Sequence, residues 1–152
     1  MHKKNEQIEI KKLGPDDSQF LVSMISLFQE VFEMDERTSL PETYFRHLLL
    51  KPDFIAYAAI SNNLVVAGLT AYELPLYYTG DSEIFLYDIA VKAEFQRKGL
   101  GQKLLSALRQ YAKQNGIKEI FTAAEEADEH ALEFYRATGG AEQRVSHFNY
   151  RS

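Results

Sequence analysis

The chain has 152 residues, of which 45% are hydrophobic, 12% aromatic and 26% charged, a composition typical of a folded protein with one core. The net charge of −5 argues against a nucleic-acid partner, and the absence of cysteine excludes disulfides and a cysteine nucleophile. No apolar run approaches the roughly 20 residues of a membrane span, and the N-terminus has no apolar signal-type stretch, so we expect no membrane contact and a cytoplasmic location.

The first quarter of the chain predicts one strand and two helices. Ile8 and Ile10 alternate with charged residues, which indicates a strand. A helix is expected to begin near Pro15, because proline suits the first helical turn. Ser39 and Glu42 have the spacing of a capping box, which predicts the start of a second helix.

The middle of the chain predicts a hairpin and a buried strand. Two apolar runs, Phe54–Ile60 and Leu64–Leu74, are joined across Asn62 and Asn63, which tolerate positive φ. The run Glu83–Val91 is rich in β-forming residues and almost wholly apolar, as expected of a central strand.

The last third predicts a helix over Gly99–Asn115, ended by Gly116, and then a strand over Ile117–Ala124. Asp128 can cap a further helix, and Val145–Tyr150 is predicted to form a final strand. The order β-α-α-β-β-β-α-β-α-β predicts a mixed sheet with packed helices, an α/β or α+β fold, in a single domain over residues 1–152. The strand–helix–strand unit over residues 83–124 predicts a parallel pair with a right-handed crossover.

A glycine-containing turn lies between the buried strand and the amphipathic helix. The first turn of a helix offers unpaired N–H groups and the positive end of its dipole, and glycine lets phosphate oxygens approach the backbone. The turn therefore predicts a pyrophosphate cradle; its residues are Gln96, Arg97, Lys98, Gly99, Leu100 and Gly101. It matches neither a Walker loop nor the three-glycine dinucleotide fingerprint. The alternative is a helix start with two glycines needed only for packing.

Two segments carry a resemblance to a known family. The run from Tyr87 to Val91, followed by Phe95–Gly101, resembles the acetyl-coenzyme A motif of the GNAT N-acetyltransferases, whose core is [QR]-x-x-G-x-[GA]. The run Ala131–Gly140 is similar to the A-x-x-F-Y-x-x-x-G-[FG] segment of that family. Residues from about Leu13 to Phe148 resemble the GNAT-type aminoglycoside 3-N-acetyltransferases in particular; the matching stretches are Phe54–Ala59, Ala71–Pro75, Ser82–Val91 and His147-Phe148.

The resemblance implies a GNAT fold with a central mixed sheet of about six to seven strands and about four helices. It also implies an acetyl-CoA-dependent N-acetyltransferase that acts on a cationic amine within a ternary complex. The expected acceptor is the 3-amino group of an aminoglycoside, in keeping with an antibiotic-resistance role. Relatives of this type imply a homodimer. The four histidines lack metal-ligand spacing, and we predict no metal site.

The resemblance also assigns the cofactor residues. Backbone groups of Ile89, Ala90 and Val91 would pair with the pantetheine arm as an added strand, and an N–H near Ile89 or Ala90 would face the thioester oxygen. The pyrophosphate would be held by the turn and the first helical residues, Gln96, Arg97, Lys98, Gly99, Leu100, Gly101 and Gln102.

Proton transfer needs an acid and a base. Tyr135 matches the tyrosine that serves the family as general acid, with packing in the core or against the cofactor as the alternative role. Asp88 and Glu83 are the candidate bases, although a structural, hydrogen-bonded role for Asp88 and relay through water stay open. Strand alternation puts Asp88 and Glu83 on opposite faces unless a bulge lies between them. The commonest position of the family's catalytic glutamate is occupied here by Phe85.

The substrate residues are predicted from charge and from position. Glu125, Glu126 and Asp128 follow a strand expected next to the cofactor strand, and Tyr87 precedes Asp88. Carboxylates there would suit a polycationic amine, whereas the alternative is a solvated helix start. Two other functions remain possible at this stage: acetylation of another amine, such as a polyamine, small metabolite or peptide, or a non-catalytic acyl-CoA sensor.

Overall fold

The computed structural model describes residues 7–35 and 39–152. It contains a mixed sheet and four α-helices within these ranges. The strands are β1 (Ile8–Lys12), β2 (Phe54–Ser61), β3 (Leu64–Pro75), β4 (Ser82–Val91) and β5 (Ile120–Phe121). The helices are α1 (Ser18–Val31), α2 (Glu42–Leu50), α3 (Leu100–Gln114) and α4 (Glu129–Ala137), with short 3-10 turns at Pro15–Asp17 and Ala93–Phe95.

The strands lie in chain order across the sheet, from β1 to β5. The first three pairs are antiparallel, whereas β4 and β5 are parallel, which confirms the predicted pairing across α3. Asn62 and Asn63 have φ values of 48° and 65°, and they join β2 to β3 as the predicted hairpin.

Helices cover the two faces of the sheet. Gly68 on β3 allows α1 to approach one face, because a Cβ at this position would overlap the side chain of Met24. Side chains alternate along a strand, so the neighbouring Leu69 faces the opposite side, where α3 buries Leu104 and Leu108. The electrostatic contact between Tyr57 on β2 and Tyr111 on α3 agrees with this assignment.

Three predicted details are wrong. Glu42 does not form a capping box with Ser39; Pro41 is the N-cap of α2, and the Glu42 carboxylate instead accepts a hydrogen bond from the Ser18 hydroxyl (2.9 Å). The predicted strand Ile117–Ala124 is reduced to two residues of β5.

The predicted strand Val145–Tyr150 is absent from the described part of the chain, where residues 141–152 form no helix or strand. A strand exists only where a neighbour supplies ladder hydrogen bonds, and none of the described strands pairs with this segment. Its apolar residues are consequently exposed, with Phe148 at 73%. The sheet therefore has five strands rather than six or seven, while the fold class is as predicted.

The chain divides into two compact units, with the boundary between Thr122 and Ala123. The sheet and helices α1 to α3 belong to the first unit, and α4 belongs to the second. Within the described residues, no helix has the length and apolar character needed to cross a membrane.

Candidate active site

The turn before α3 forms a concave backbone surface. Arg97 and Gly99 have φ values of 62° and 77°, so two left-handed residues alternate with a neighbour of ordinary conformation. Alternation of this kind turns successive N–H groups towards one point and makes an anion-binding concavity. Gly99 is the N-cap of α3 and no side chain caps the helix, so its first-turn amides face outwards.

The amides at this helix start are available to a ligand. Among the described residues, no protein acceptor pairs with the amides of residues 99–102, and the next amide, of Lys103, donates to the Gly99 carbonyl (3.0 Å). The ammonium group of Lys98 lies 5.0 Å from the centre of the Phe95 ring. The Gln96 side chain donates to the Val91 carbonyl (3.1 Å), which ties the turn to the end of β4. Gln96 thus has a structural role in shaping the turn.

One edge of β4 opens halfway along the strand. β5 pairs only with Ile84 and Phe85, and the Thr122 hydroxyl then donates to the Leu86 carbonyl (2.9 Å). Beyond this point β4 runs on to Val91, and no strand in the described ranges pairs with that stretch of the edge. An extended chain could therefore add to this edge as a further strand.

The direction of the backbone groups identifies which residues serve that edge. The Lys92 amide donates to the Val66 carbonyl of β3 (2.9 Å). Because backbone groups alternate between the two edges of a strand, those of Ala90 also point towards β3 and those of Ile89 point outwards. The Val91 carbonyl accepts from the Gln96 side chain and therefore points outwards, as expected for a residue two positions after Ile89.

A β-bulge at Tyr87 resolves the conflict between the two candidate bases. Thr70 pairs with Asp88 but its neighbour Ala71 pairs with Leu86, so Tyr87 is an extra residue. On the Leu86 side of the bulge, Glu83 pairs with Leu74.

Thr70 and Leu74 lie on the same face of β3, and their partners Asp88 and Glu83 therefore share a face of β4. They remain roughly 15 Å apart, because they are five steps apart along the strand at about 3.3 Å each, a little less at the bulge. The two carboxylates therefore cannot both accept or donate the same proton directly.

Asp88 lies within electrostatic reach of Tyr72. Burial raises the pKa of the Tyr72 phenol above its ordinary value, and the neighbouring Tyr87, Tyr44, Asp53 and Asp88 raise it further. Tyr72 therefore stays protonated and neutral near pH 7, beside the carboxylate of Asp88.

A model of the acetyltransferase (GNAT) family matches residues 21–139. The chain belongs to the GNAT family. It is accordingly an acetyl-CoA-dependent N-acetyltransferase, as the resemblance of the turn and of β4 implied. Among curated proteins, none matches this chain.

Solved structures of two aminoglycoside acetyltransferases are similar to this chain over nearly its whole length. The aminoglycoside acetyltransferase meta-AAC0020, from an uncultured soil metagenomic sample, is 35% identical in its trehalose complex, with 99% of each chain covered and a TM-score of 0.93. Its sisomicin complex gives 35% identity, coverage of 95% and 96%, and a TM-score of 0.92. The aminoglycoside acetyltransferase HMB0005, also from an uncultured soil sample, is 30% identical over 96% of this chain and 99% of its own, with a TM-score of 0.91.

The remaining predicted residues of this GNAT chain lie in its C-terminal unit. Asp128 caps α4 as predicted, since its carboxylate accepts from the Ala131 amide (3.1 Å). Glu126 lines a surface pocket together with Glu129 and Glu133. Tyr135 lies on α4 with its ring in edge-to-face contact with Phe134 (5.4 Å between centroids). Among the described residues, no group of three or more histidines, aspartates and glutamates is arranged to hold a metal ion.

Sequence reasoning missed the aromatic side chains around Asp88. Tyr72, Phe85 and Phe121 come from three strands, and only the pairing register brings them onto one face of the sheet. The signal in the sequence was the presence of large rings in strands that were otherwise aliphatic.

Proposed function

We propose that this GNAT enzyme acetylates an amino group of an aminoglycoside, with the 3-amino group of 2-deoxystreptamine as the acceptor. The observation that carries the proposal is the 35% identity, over 99% of both chains, to a soil aminoglycoside acetyltransferase that also has a sisomicin complex. The carboxylates of Asp88 and Glu83 on one face of β4 agree with a cationic acceptor, because ammonium groups form charge-assisted hydrogen bonds with carboxylates.

The cofactor would lie along β4 and end at α3. Its pantetheine arm would pair with the open edge at Ile89 and Val91, and the Ala90 backbone would hold that edge in place through β3. The pyrophosphate would accept hydrogen bonds from the amides of Gly99, Leu100, Gly101 and Gln102, with Arg97 and Lys98 adding positive charge. The outward amide of Ile89, rather than that of Ala90, would donate to the thioester oxygen and stabilise the tetrahedral intermediate.

Asp88 is the better candidate for the base. It adjoins Ile89, whose amide is proposed to hold the thioester, whereas Glu83 lies roughly 15 Å along the strand. Asp88 would accept a proton from the acceptor ammonium, directly or through water, and free the amine for attack on the thioester carbon. Glu83, together with Tyr87, Glu125, Glu126 and Asp128, would hold the other positive charges of the substrate.

Tyr135 is proposed to donate a proton to the departing thiolate of coenzyme A. Tyr135→Phe removes the hydroxyl but keeps the ring, so kcat should fall by about 100-fold while the Kd for acetyl-CoA changes little. Release of free thiol gives kcat, and calorimetry gives Kd. Tyr111→Phe is the matched control, because it removes a hydroxyl from α3 and should leave kcat within about two-fold. Equal activity of the two variants would exclude the acid role of Tyr135.

The acceptor can be tested directly with the purified protein. Acetyl-CoA is mixed with sisomicin, spermidine or a peptide with a free N-terminus, and free thiol is measured over time. We expect turnover with sisomicin, and we expect NMR of the product to show the acetyl group on the 3-amino group. Turnover of spermidine or the peptide alone would assign another amine. Background rates with every amine, alongside tight acetyl-CoA binding, would favour a sensor.

A further inference from the structure

A strip of aromatic rings crosses one face of the sheet beside Asp88. The rings form a continuous chain of contacts, with 5.5 Å between the centroids of Phe54 and Tyr72 and 5.8 Å between those of Tyr72 and Tyr87. The Phe85 ring is 5.5 Å from that of Tyr87 and is stacked on Phe121 at 4.9 Å and 10°. We call Phe54, Tyr72, Tyr87, Phe85 and Phe121 the aromatic strip.

The pairing register builds the strip from four strands. Tyr72 is the cross-strand partner of both Phe54 and Phe85, and Phe85 is also the partner of Phe121. Cross-strand partners point to the same face of a sheet. The bulge adds Tyr87 to this row, because its ring contacts both Tyr72 and Phe85. A plain alternation at Tyr87 would leave Asp88 on the other face.

The strip passes from the core to the surface. Phe54 is 6% exposed and belongs to the core beneath α2, whereas Phe121 is 37% and Tyr87 is 59% exposed. Exposed rings that form one contiguous row are unusual on a protein surface unless they bind something. The exposed end of the strip therefore offers ring faces to a ligand.

Acidic groups accompany the rings. Asp53 and Asp88 are close enough to Tyr72 to raise its pKa, in addition to the effect of burial. Glu83 lies on the same face of β4, two residues from Phe85. Carboxylates beside electron-rich ring faces produce a negative surface, and both groups attract ammonium ions.

We propose that the exposed end of the aromatic strip, formed by Phe121, Phe85 and Tyr87, selects acceptors whose ammonium groups project from a rigid ring. An amino group would lie over a ring face, and the flat side of the cyclitol or sugar would pack against the neighbouring ring. The proposal rests on the proposed function and deepens it, since it assigns acceptor selectivity to rings as well as to carboxylates. Phe121 and Phe85 would be specificity residues without a part in proton transfer.

Substitutions that keep or remove the π-face separate this role from simple packing. Phe121→Leu and Tyr87→Leu should each raise the KM for sisomicin by about 5-fold, whereas Phe121→Tyr and Tyr87→Phe should leave it within about two-fold. The Kd for acetyl-CoA, measured by calorimetry, should be the same in all four variants. Tyr111→Leu on the opposite face is the control for loss of a ring, and its KM should match that of the wild type.

The outcomes distinguish the two proposals. If the wild type turns over sisomicin and the leucine variants have the same KM as the tyrosine and phenylalanine variants, the aromatic strip does not read the acceptor and the proposed function stands. If the wild type acetylates no aminoglycoside, the proposed function fails, and the assignment of the strip to ring amines fails with it. A leucine variant with weaker acetyl-CoA binding would show that the rings serve the cofactor, and would overturn the proposal.

Discussion

Replacing Asp88 by asparagine is expected to lower kcat/KM for the aminoglycoside by about 10²- to 10⁴-fold. Asparagine has nearly the same shape but cannot accept a proton from the substrate ammonium. The bulge at Tyr87 brings Asp88 onto the face that carries Tyr72 and Phe85, next to the outward amide of Ile89. The rate of thiol release with sisomicin and acetyl-CoA measures the effect, and the Kd for acetyl-CoA should stay unchanged.

Glu83→Gln is the matched control for Asp88→Asn. It neutralises a carboxylate on the same face of the same strand, roughly 15 Å away. We expect a higher KM for the acceptor with little change in kcat, because Glu83 would only attract positive charge. Asp88→Glu should recover part of the lost activity. A large fall in kcat for Glu83→Gln, with near-normal activity for Asp88→Asn, would reverse the assignment of the base.

The second large effect is expected from Gly99→Val, which should raise the Kd for coenzyme A by at least about 10-fold. Gly99 has a φ of 77°, a conformation that a β-branched residue avoids. The turn would have to change shape, and the amides of residues 99–102 would no longer converge on the pyrophosphate. Hydrogen bonds to a charged group contribute about 1.5–3 kcal/mol each, and about 1.4 kcal/mol corresponds to a factor of ten in Kd.

Gly116→Val tests whether this effect belongs to the site or only to backbone strain. Gly116 has a φ of 68° and open space where a Cβ would lie, like Gly99, but it follows the other end of α3. The helix has 15 residues and the two glycines lie beyond its two ends, so they are separated by about 25 Å. Both variants should lose similar thermal stability, and only Gly99→Val should lose coenzyme A affinity in calorimetry. An equal Kd for coenzyme A in the two variants would show that the pyrophosphate does not bind at this turn.

The turn and α3 were predictable because their signals are local. Apolar residues repeat at helical spacing from Leu100 to Ala112, and glycines mark both ends of the helix. The left-handed conformation of Gly99 and the cap formed by Asp128 depend on residues within a few positions of each other. Local geometry of this kind needs no knowledge of the rest of the fold.

The bulge and the aromatic strip depend on the pairing register of the strands, for which the sequence has no local signal. Phe85, Leu86 and Tyr87 are all strand-forming residues, and no glycine or proline marks the extra residue. Phe54, Tyr72 and Phe121 are far apart along the chain, and they meet only because β2 to β5 pair as they do. Strand alternation could therefore predict only that Asp88 and Glu83 share a face if a bulge lies between them.

The errors at Glu42 and at Val145–Tyr150 have a related cause. Glu42 has the correct spacing for a cap, but its carboxylate accepts a hydrogen bond from the hydroxyl of Ser18, 24 residues earlier. The run Val145–Tyr150 has strand-like composition, but composition alone supplies no neighbour for its backbone. In both cases a distant partner decides the outcome.

The extra residue at Tyr87 divides β4 into two halves. Odd-numbered residues before it and even-numbered residues after it face the same side of the sheet. Deleting Tyr87 would make Leu86 and Asp88 neighbours opposite Ala71 and Thr70, which is ordinary antiparallel pairing. Asp88 would stay on its face and Ile89 on its edge, and the site would lose only the ring of Tyr87. Forcing Tyr87 into the ladder without removing a residue would instead turn one half of the strand over. The enzyme can therefore tolerate a shorter β4 at this point better than it can tolerate the loss of the irregular pairing in a strand of the present length.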